Sequence, residues 1–137
     1  TNLSKNTEDF TGNVWLIESS GEKALVDVGT GDSWKNIREC GVEFEVYHTP
    51  GHRDDSICLY SSEEQILFTG DLIFPEGGFG RTDLDEGDRE RLIESIQKIA
   101  GLDVESFYPG HDNAVTEDAE EWTEKSLEEA RKKEPKY

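Results

Sequence analysis

The chain contains few cysteines and no long apolar run, and both shortages exclude classes of protein. Its two cysteines, Cys40 and Cys58, form no CxxC pair, which argues against a disulfide scaffold and against a structural zinc knot. No stretch approaches the ~20 apolar residues of a membrane span, and the first residues are too polar for a secretory signal peptide. We therefore expect a cytoplasmic protein in which Cys58, within an apolar strand pattern, is a small core residue.

Basic residues are also scarce, since there are 14 Lys and Arg and 32 Asp and Glu, which gives a net charge of -18. The acidic residues are scattered along the whole chain rather than gathered into a tail. A surface of this kind repels nucleic acid and anionic lipid, so we expect neither as a partner. Because molar salt shortens the Debye length to about 3 Å, the composition is typical of a halophile's cytoplasmic protein. An ordinary acidic mesophile protein is the alternative.

Hydrophobic patterning predicts one mixed α/β domain over residues 1–137, since the length suits a single domain and strands mix with helices. Strands are predicted at residues 13–19, 23–28, 43–49, 56–60, 66–69 and 104–108. Helices are predicted at residues 32–40, 88–100 and 116–133. The glycine-rich segment 75–87 is predicted to be irregular, and loops of that length are usually functional or mobile.

Two of the predicted strands end in the same tripeptide, Pro-Gly-His. His52 closes the run His-Thr-Pro-Gly-His, and His111 closes the run Phe-Tyr-Pro-Gly-His. Proline and glycine stop a strand and turn the chain sharply, so each imidazole is held at the end of a strand. A third strand ends in Gly70 followed by Asp71. Each pattern taken alone is also an ordinary turn, in which Asp71 would be a turn former or a helix cap.

The three strand ends taken together predict a metal site. Neutral imidazole and carboxylate are preferred ligands of zinc, iron(II) and manganese, and a carboxylate can bridge two cations about 3.5–4 Å apart. We therefore expect His52, Asp71 and His111 to converge at one edge of the sheets. The remaining histidine, His48, is predicted to be a core residue or to support the ligands from behind.

The sequence resembles the metallo-β-lactamase superfamily in motifs that follow one another in the family's order. The runs that end in His52, Asp71 and His111 resemble its later motifs, and Leu-Val-Asp-Val-Gly around Asp27 resembles its first motif. The loop Gly-Phe-Gly-Arg-Thr-Asp-Leu, which contains Arg81, resembles the branch with glyoxalase II-like hydrolases and persulfide dioxygenases. The resemblance covers nearly the whole chain and implies a four-layered αββα sandwich, with two sheets face to face and helices outside.

The resemblance also implies a role for each candidate residue. It implies that His52 is a ligand of a first metal ion, that His111 is a ligand of a second, and that Asp71 is the bridging, catalytic carboxylate. Two divalent ions are expected, with zinc favoured and iron or manganese as alternatives. Asp27 would support the site from just behind it or act as a turn acid. Arg81 would bind an anionic part of the substrate or form a salt bridge to nearby acids.

The function implied by the resemblance is that of a metal-dependent hydrolase. A metal-bound hydroxide would attack the carbonyl carbon of a small-molecule thioester or ester, as in hydroxyacylglutathione hydrolases. One alternative is a mono-iron persulfide dioxygenase with a 2-His-1-carboxylate arrangement. Another alternative is a non-catalytic, degenerate relative. One iron in the native protein would indicate the dioxygenase, and two zinc or mixed ions would indicate the hydrolase.

The family's central motif, His-x-His-x-Asp-His, has no counterpart in this sequence. It would follow the helix that ends near Cys40 and precede the strand that begins near Val42. Either a segment of the native protein is absent near residues 37–43, or the protein has lost the motif and is a degenerate relative. We favour the first interpretation. It predicts one Cα–Cα step between Ile37 and Glu43 far longer than the about 3.8 Å of a trans peptide.

The acidic composition predicts that stability depends on salt. We expect the protein to lose structure below a few hundred millimolar salt, because acidic neighbours on a scale of ~10 Å are poorly screened there. Thermal unfolding followed by circular dichroism at increasing salt concentration measures this dependence. Equal melting temperatures in dilute buffer and in molar salt would show that the acidic residues are merely solvated.

Overall fold

The computed structural model describes the backbone of residues 2–6, 14–19 and 21–27, and residues 41–132 in full. The first three ranges form an antiparallel sheet of three strands, β1 (Asn2–Asn6), β2 (Val14–Ser19) and β3 (Glu22–Asp27). The β2–β3 hairpin turns at Gly21, whose φ of 84° is readily adopted by glycine. The early hairpin predicted from the sequence is therefore confirmed, with small shifts in the bounds of its strands.

The second sheet carries the strand ends that bear the candidate ligands. Its strands are β4 (Glu45–His48), β5 (Ile57–Ser61), β6 (Ile66–Gly70) and β9 (Ser106–Pro109). They lie in the order β4-β5-β6-β9, and of these pairings only β6 with β9 is parallel. Two further strands, β7 (Ile73–Phe74) and β8 (Gly78–Phe79), form a short hairpin. All four predicted strands of this region are confirmed, although β4 and β9 are shorter than predicted.

Both faces of the second sheet are buried. Successive strand residues point to opposite faces, so Leu67 and Phe68 belong to two different clusters although each is fully buried. The cluster on the first face combines Leu67 and Phe107 with apolar residues of the helices, such as Ile96. The cluster on the other face consists of Val42, Leu59, Ile66, Phe68 and Tyr108. A sheet that is covered on both faces is an inner layer, as a four-layered sandwich requires.

Two helices cover the first face of this sheet. Helix α1 (Arg89–Ala100) begins after Asp88, whose carboxylate accepts the backbone N–H of Arg91 at 3.0 Å and so caps the helix. Helix α2 (Ala119–Lys132) packs against α1. Both helices predicted in this part of the chain are confirmed, but α2 begins three residues later than predicted. Among the described residues, no helix is long and apolar enough to cross a membrane.

Two further predictions concern the segment 75–87 and the helix at residues 32–40. The segment 75–87, predicted to be irregular, is partly regular, because Pro75–Gly77 is a 3-10 turn that leads into β8. Two-residue strands fall below the length at which alternation is visible in a sequence, which explains the error. The predicted helix at residues 32–40, together with Cys40 and the start of the 37–43 junction, lies outside the described residues.

The prediction that Cys58 is a core residue is confirmed. The residue is fully buried, and its sulfur lies 3.5 Å from the hydroxyl oxygen of Thr49 and 3.7 Å from the carbonyl oxygen of Thr69. Burial raises the pKa of the thiol to about 12, because a thiolate in this position would lose its hydration. Cys58 is therefore an inert thiol within the core and is not a candidate nucleophile.

The turn that follows β4 packs directly on α1 at Gly51. The φ of Gly51 is 138°, and a β-carbon added there would lie 2.4 Å from the Cα of Leu92. The backbone N–H of Asp88 donates to the carbonyl of Gly51 at 2.8 Å, and the Ser95 hydroxyl donates to the carbonyl of Pro50 at 2.7 Å. These contacts fix the turn to the first half of α1.

The close contact at Gly51 can be tested by a single substitution. We expect Gly51→Ala to lower the free energy of unfolding by about 3 kcal/mol or more, through overpacking and a strained backbone. Gly101→Ala is the matched control, because Gly101 has a φ of -86° and no atom within 4 Å of an added β-carbon. That control should stay within about 0.5 kcal/mol of the parent. Urea unfolding in molar salt measures both, and equal midpoints would contradict the packing of the turn on α1.

Candidate metal centre

The parallel pairing of β6 with β9 brings two of the candidate ligands to one edge of the sheet. Asp71 directly follows β6, and His111 follows β9 after one intervening residue. The N–H of Gly110 donates to the carbonyl of Gly70 at 2.7 Å. A β-carbon added at Gly110 would lie 2.5 Å from Oδ1 of Asp71. The glycine of this Pro-Gly-His run is therefore needed for the two strand ends to approach each other.

His52 reaches the same edge from a different strand. β4 is antiparallel to β5, and β5 is antiparallel to β6, so β4 and β6 run in the same direction and end at the same edge. The loop after β4 is closed by the N–H of Thr49, which donates to the carbonyl of Ser56 at 2.9 Å. Together with the contacts of the turn on α1, this bond holds His52 on rigid elements.

The three residues meet around the carboxylate of Asp71. His52 Nε2 lies 3.4 Å from Oδ2, and His111 Nε2 lies 3.4 Å from Oδ1. Two ligands of one tetrahedral ion, with bonds of about 2.1 Å, are themselves about 3.4 Å apart. Each imidazole therefore lies at ligand spacing from its own carboxylate oxygen, which is longer than the usual hydrogen bond.

A hydrogen bond of His52 determines which ring nitrogen acts as an acceptor. Nδ1 lies 2.9 Å from the carbonyl oxygen of Arg81, and because a carbonyl only accepts, Nδ1 carries the proton. Nε2 of the neutral ring then presents a lone pair to Asp71. Two acceptors at this spacing repel each other unless a cation or a proton lies between them. Metal-binding histidines usually donate their other ring N–H in this way.

The donor set fits a metal centre with a shared carboxylate, although only part of the coordination is present. Within the described residues, no three His, Cys, Asp or Glu side chains surround a single point. The arrangement consists instead of two imidazole–carboxylate pairs that share Asp71. Each pair offers two ligands, whereas a catalytic zinc ion usually has three from the protein. Each ion would therefore need further donors besides these three residues.

The two pairs differ in their exposure. The side chain of His52 is 15% exposed and that of His111 is 54% exposed. Phe74 lies beside the ring of His111, with ring centroids 6.3 Å apart and planes inclined by 48°. The pair that contains His52 is therefore enclosed, and the pair that contains His111 is open on one side and lies next to an aromatic ring.

The prediction that His48 is a core residue or supports the ligands from behind is wrong. Its side chain is exposed, and Nε2 lies 2.7 Å from the carbonyl oxygen of Asp54. The backbone carbonyl of His48 accepts a hydrogen bond from Lys98 Nζ at 2.7 Å. In the described sheet β4 is an edge strand, so the alternation of apolar and polar residues does not bury this position. His48 contacts the loop after β4 instead of the candidate ligands.

Arg81 approaches the site through its backbone, whereas its side chain pairs with a neighbouring acid. Its Nε and Nη2 donate to Oδ1 and Oδ2 of Asp83, each at 2.7 Å, as the salt-bridge interpretation expects. The contact of the Arg81 carbonyl with His52 has no sequence signal, because every residue type carries a carbonyl. Asp27 is the last residue of β3, and its side chain lies outside the described residues.

Comparison with known families agrees with the fold and with the region that contains the site. A family model described as the metallo-beta-lactamase superfamily matches residues 37–111, which is more than half of the chain. The crystal structure of a metallo-beta-lactamase family protein from Thermus thermophilus superposes with a TM-score of 0.71. That match covers 95% of this chain and 79% of the other at 14% identity. The predicted fold class is therefore confirmed.

Two curated relatives of this chain carry the name hydroxyacylglutathione hydrolase. Hydroxyacylglutathione hydrolase GloC of Haemophilus influenzae is 38% identical over 94 residues, which cover 61% of this chain and 44% of that protein. Hydroxyacylglutathione hydrolase of Enterobacter sp. (strain 638) is 40% identical over 90 residues, which cover 66% of this chain and 32% of that protein. The chain therefore spans less than half the length of these relatives.

Because both imidazole–carboxylate pairs share Asp71, a substitution of this residue tests the metal centre. We expect Asp71→Asn to weaken zinc binding at least about 100-fold, since loss of even a supporting contact of a metal ligand costs 10–100-fold. Calorimetric titration of chelator-treated protein with zinc in molar salt measures the affinity. Asp85→Asn removes the same charge from an exposed residue and should bind zinc as the parent does. Equal losses in the two variants would assign the effect to surface charge instead of the ligand set.

Proposed function

The chain belongs to the metallo-β-lactamase superfamily, and we propose that it is a metal-dependent hydrolase of a small-molecule thioester or ester. The observation that supports the proposal is the carboxylate of Asp71, which has one imidazole at ligand spacing from each of its oxygens. The names of the two hydroxyacylglutathione hydrolases support a thioester as the substrate class.

Each candidate ligand has a definite task in this proposal. His52 and Asp71 would hold one divalent ion, and His111 and Asp71 would hold a second, with zinc as the favoured metal. When bound, such ions lower the pKa of a coordinated water towards neutrality and polarise a carbonyl group. The charge of Asp71 would offset the repulsion between the two cations. The exposed side of His111, next to Phe74, is where a substrate would approach.

Arg81 is proposed to bind an anionic part of the substrate. Its side chain is 63% exposed, so an anion can reach it from solvent. The carboxylate of Asp83 already binds two of its nitrogens and offsets its charge, so we propose a modest contribution to substrate affinity. The same ion pair raises the pKa of Arg81 above its usual value, with the hydrogen bond to Asp83 as the largest cause.

The absent His-x-His-x-Asp-His motif limits what these residues can do alone. The chain has three histidines, and with His48 bound to a backbone carbonyl, one imidazole remains for each ion. We propose that the native protein carries further ligands near residues 37–43, and that Asp27 supports the site from the end of β3. The gene sequence between Cys40 and Gly41 tests the first part. An uninterrupted gene there would favour a degenerate relative with weak metal binding.

Release of thiol from a panel of thioesters tests the activity. We expect zinc-loaded protein in molar salt to release thiol from a hydroxyacylglutathione, and we expect Asp71→Asn and chelator-treated protein to give only the background rate. Asp85→Asn is the matched control and should keep the parent rate. Metal analysis of the native protein is a second measurement. A single iron, with no hydrolysis of any thioester or ester, would reject the hydrolase in favour of a dioxygenase.

A further inference from the structure

The segment 80–83 contacts both residues of the enclosed imidazole–carboxylate pair. A β-carbon added at Gly80 would lie 2.0 Å from the carbonyl oxygen of Asp71 and 3.2 Å from Cβ of His52. The N–H of Gly80 donates to the carbonyl of Leu72 at 3.1 Å. The segment therefore begins in direct contact with the backbone of one candidate ligand and with the side chain of the other.

The next carbonyl along the chain orients the ring of His52. The carbonyl of Arg81 accepts the Nδ1 proton at 2.9 Å. If this acceptor moved away, the ring would lose the hydrogen bond that fixes its orientation. Nε2 would then no longer be held beside Oδ2 of Asp71, which lies 3.4 Å away. The position of one backbone carbonyl therefore decides how well Nε2 is aimed to act as a ligand.

The ion pair of Arg81 with Asp83 holds that carbonyl in place. Both hydrogen bonds of the pair are 2.7 Å long, and a two-pronged contact of this kind restricts orientation more than a single bond does. Because the partners are two residues apart, the pair closes a small ring that includes the intervening backbone. The guanidinium of Arg81 holds the pKa of Asp83 below its usual range, so the carboxylate stays charged at neutral pH.

We propose that Asp83 is a positioning residue for His52 and acts through the backbone of Arg81. The inference rests on the proposed metal centre, because the task of the ion pair is to keep Nε2 of His52 aimed at a cation. Exposed ion pairs contribute little to folding stability, so stability alone does not account for this one.

The ring N–H signals of the imidazoles at saturating zinc test the inference. The chain has three histidines, and His48→Gln and His111→Gln identify the signal of His52 by elimination. In the parent, the Nδ1 proton of His52 should exchange slowly with water, because it is held in the hydrogen bond to the Arg81 carbonyl. Asp83→Asn should make this exchange faster. Asp85→Asn, which removes the same charge from the same loop, should leave the signals unchanged.

Zinc affinity is the second measurement. We expect Asp83→Asn to bind zinc about tenfold more weakly than the parent, at the lower end of the effects of supporting residues around a metal. Asp83→Glu keeps a carboxylate and should recover part of the affinity. Arg81→Lys keeps the charge but cannot form two parallel hydrogen bonds, so it should behave like Asp83→Asn. Arg81→Lys decides the question if Asp83→Asn does not fold.

Two outcomes would overturn the inference. One is an unchanged exchange rate of the Nδ1 proton of His52 in both Asp83→Asn and Arg81→Lys. The other is an equal loss of zinc affinity in Asp83→Asn and Asp85→Asn, since that would assign the effect to net charge. If the exchange of the Nδ1 proton changes as expected but no thioester is cleaved by the parent, the hydrolase is rejected and the positioning role of Asp83 remains. The two proposals can therefore fail separately.

Discussion

The parallel pairing of β6 with β9 is the constraint on which the site and much of the fold depend. A parallel pair requires a crossover connection, and here the chain passes through the β7–β8 hairpin and α1 before it returns as β9. The crossover places α1 over the face of the sheet that contains Leu67 and Phe107, and it brings both strand ends to one edge. An antiparallel pairing would have put Asp71 and His111 at opposite ends of the sheet.

Backbone contacts at three glycines determine where the imidazoles lie. Gly51 lies against the backbone of α1, Gly110 lies against the side chain of Asp71, and Gly80 lies against the backbone of Asp71. Each approach is too close for a β-carbon, so a larger residue would displace a candidate ligand or the helix beside it. Ligands placed by main chain that is itself hydrogen-bonded are held more precisely than ligands on free loops. The site is therefore a property of the scaffold as much as of its ligands.

The parts of this picture that the sequence predicts are those with a local signal. The strands that end in His52, Asp71 and His111 are visible as apolar runs stopped by glycine and proline, and their similar endings point to one site. His48 was predicted to be a core residue or to support the ligands from behind, but β4 is an edge strand of the described sheet, and even the apolar Val46 is 54% exposed there. The contact between His52 and the carbonyl of Arg81 joins residues 29 positions apart. It depends on the tertiary fold, which no local pattern encodes.

The burial of Cys58 has a consequence for how the core responds to alkaline solution. The thiol has a pKa of about 12 in the folded protein and an ordinary value of 9.0, so the unfolded chain releases this proton first as the pH rises. The contribution of the group to stability is complete below about pH 9 and is lost between the two values. At neutral pH the folded thiol scarcely reacts, so labelling of Cys58 requires the sheet to separate from its helices. The rate at which a thiol reagent modifies this residue therefore measures how often the core opens.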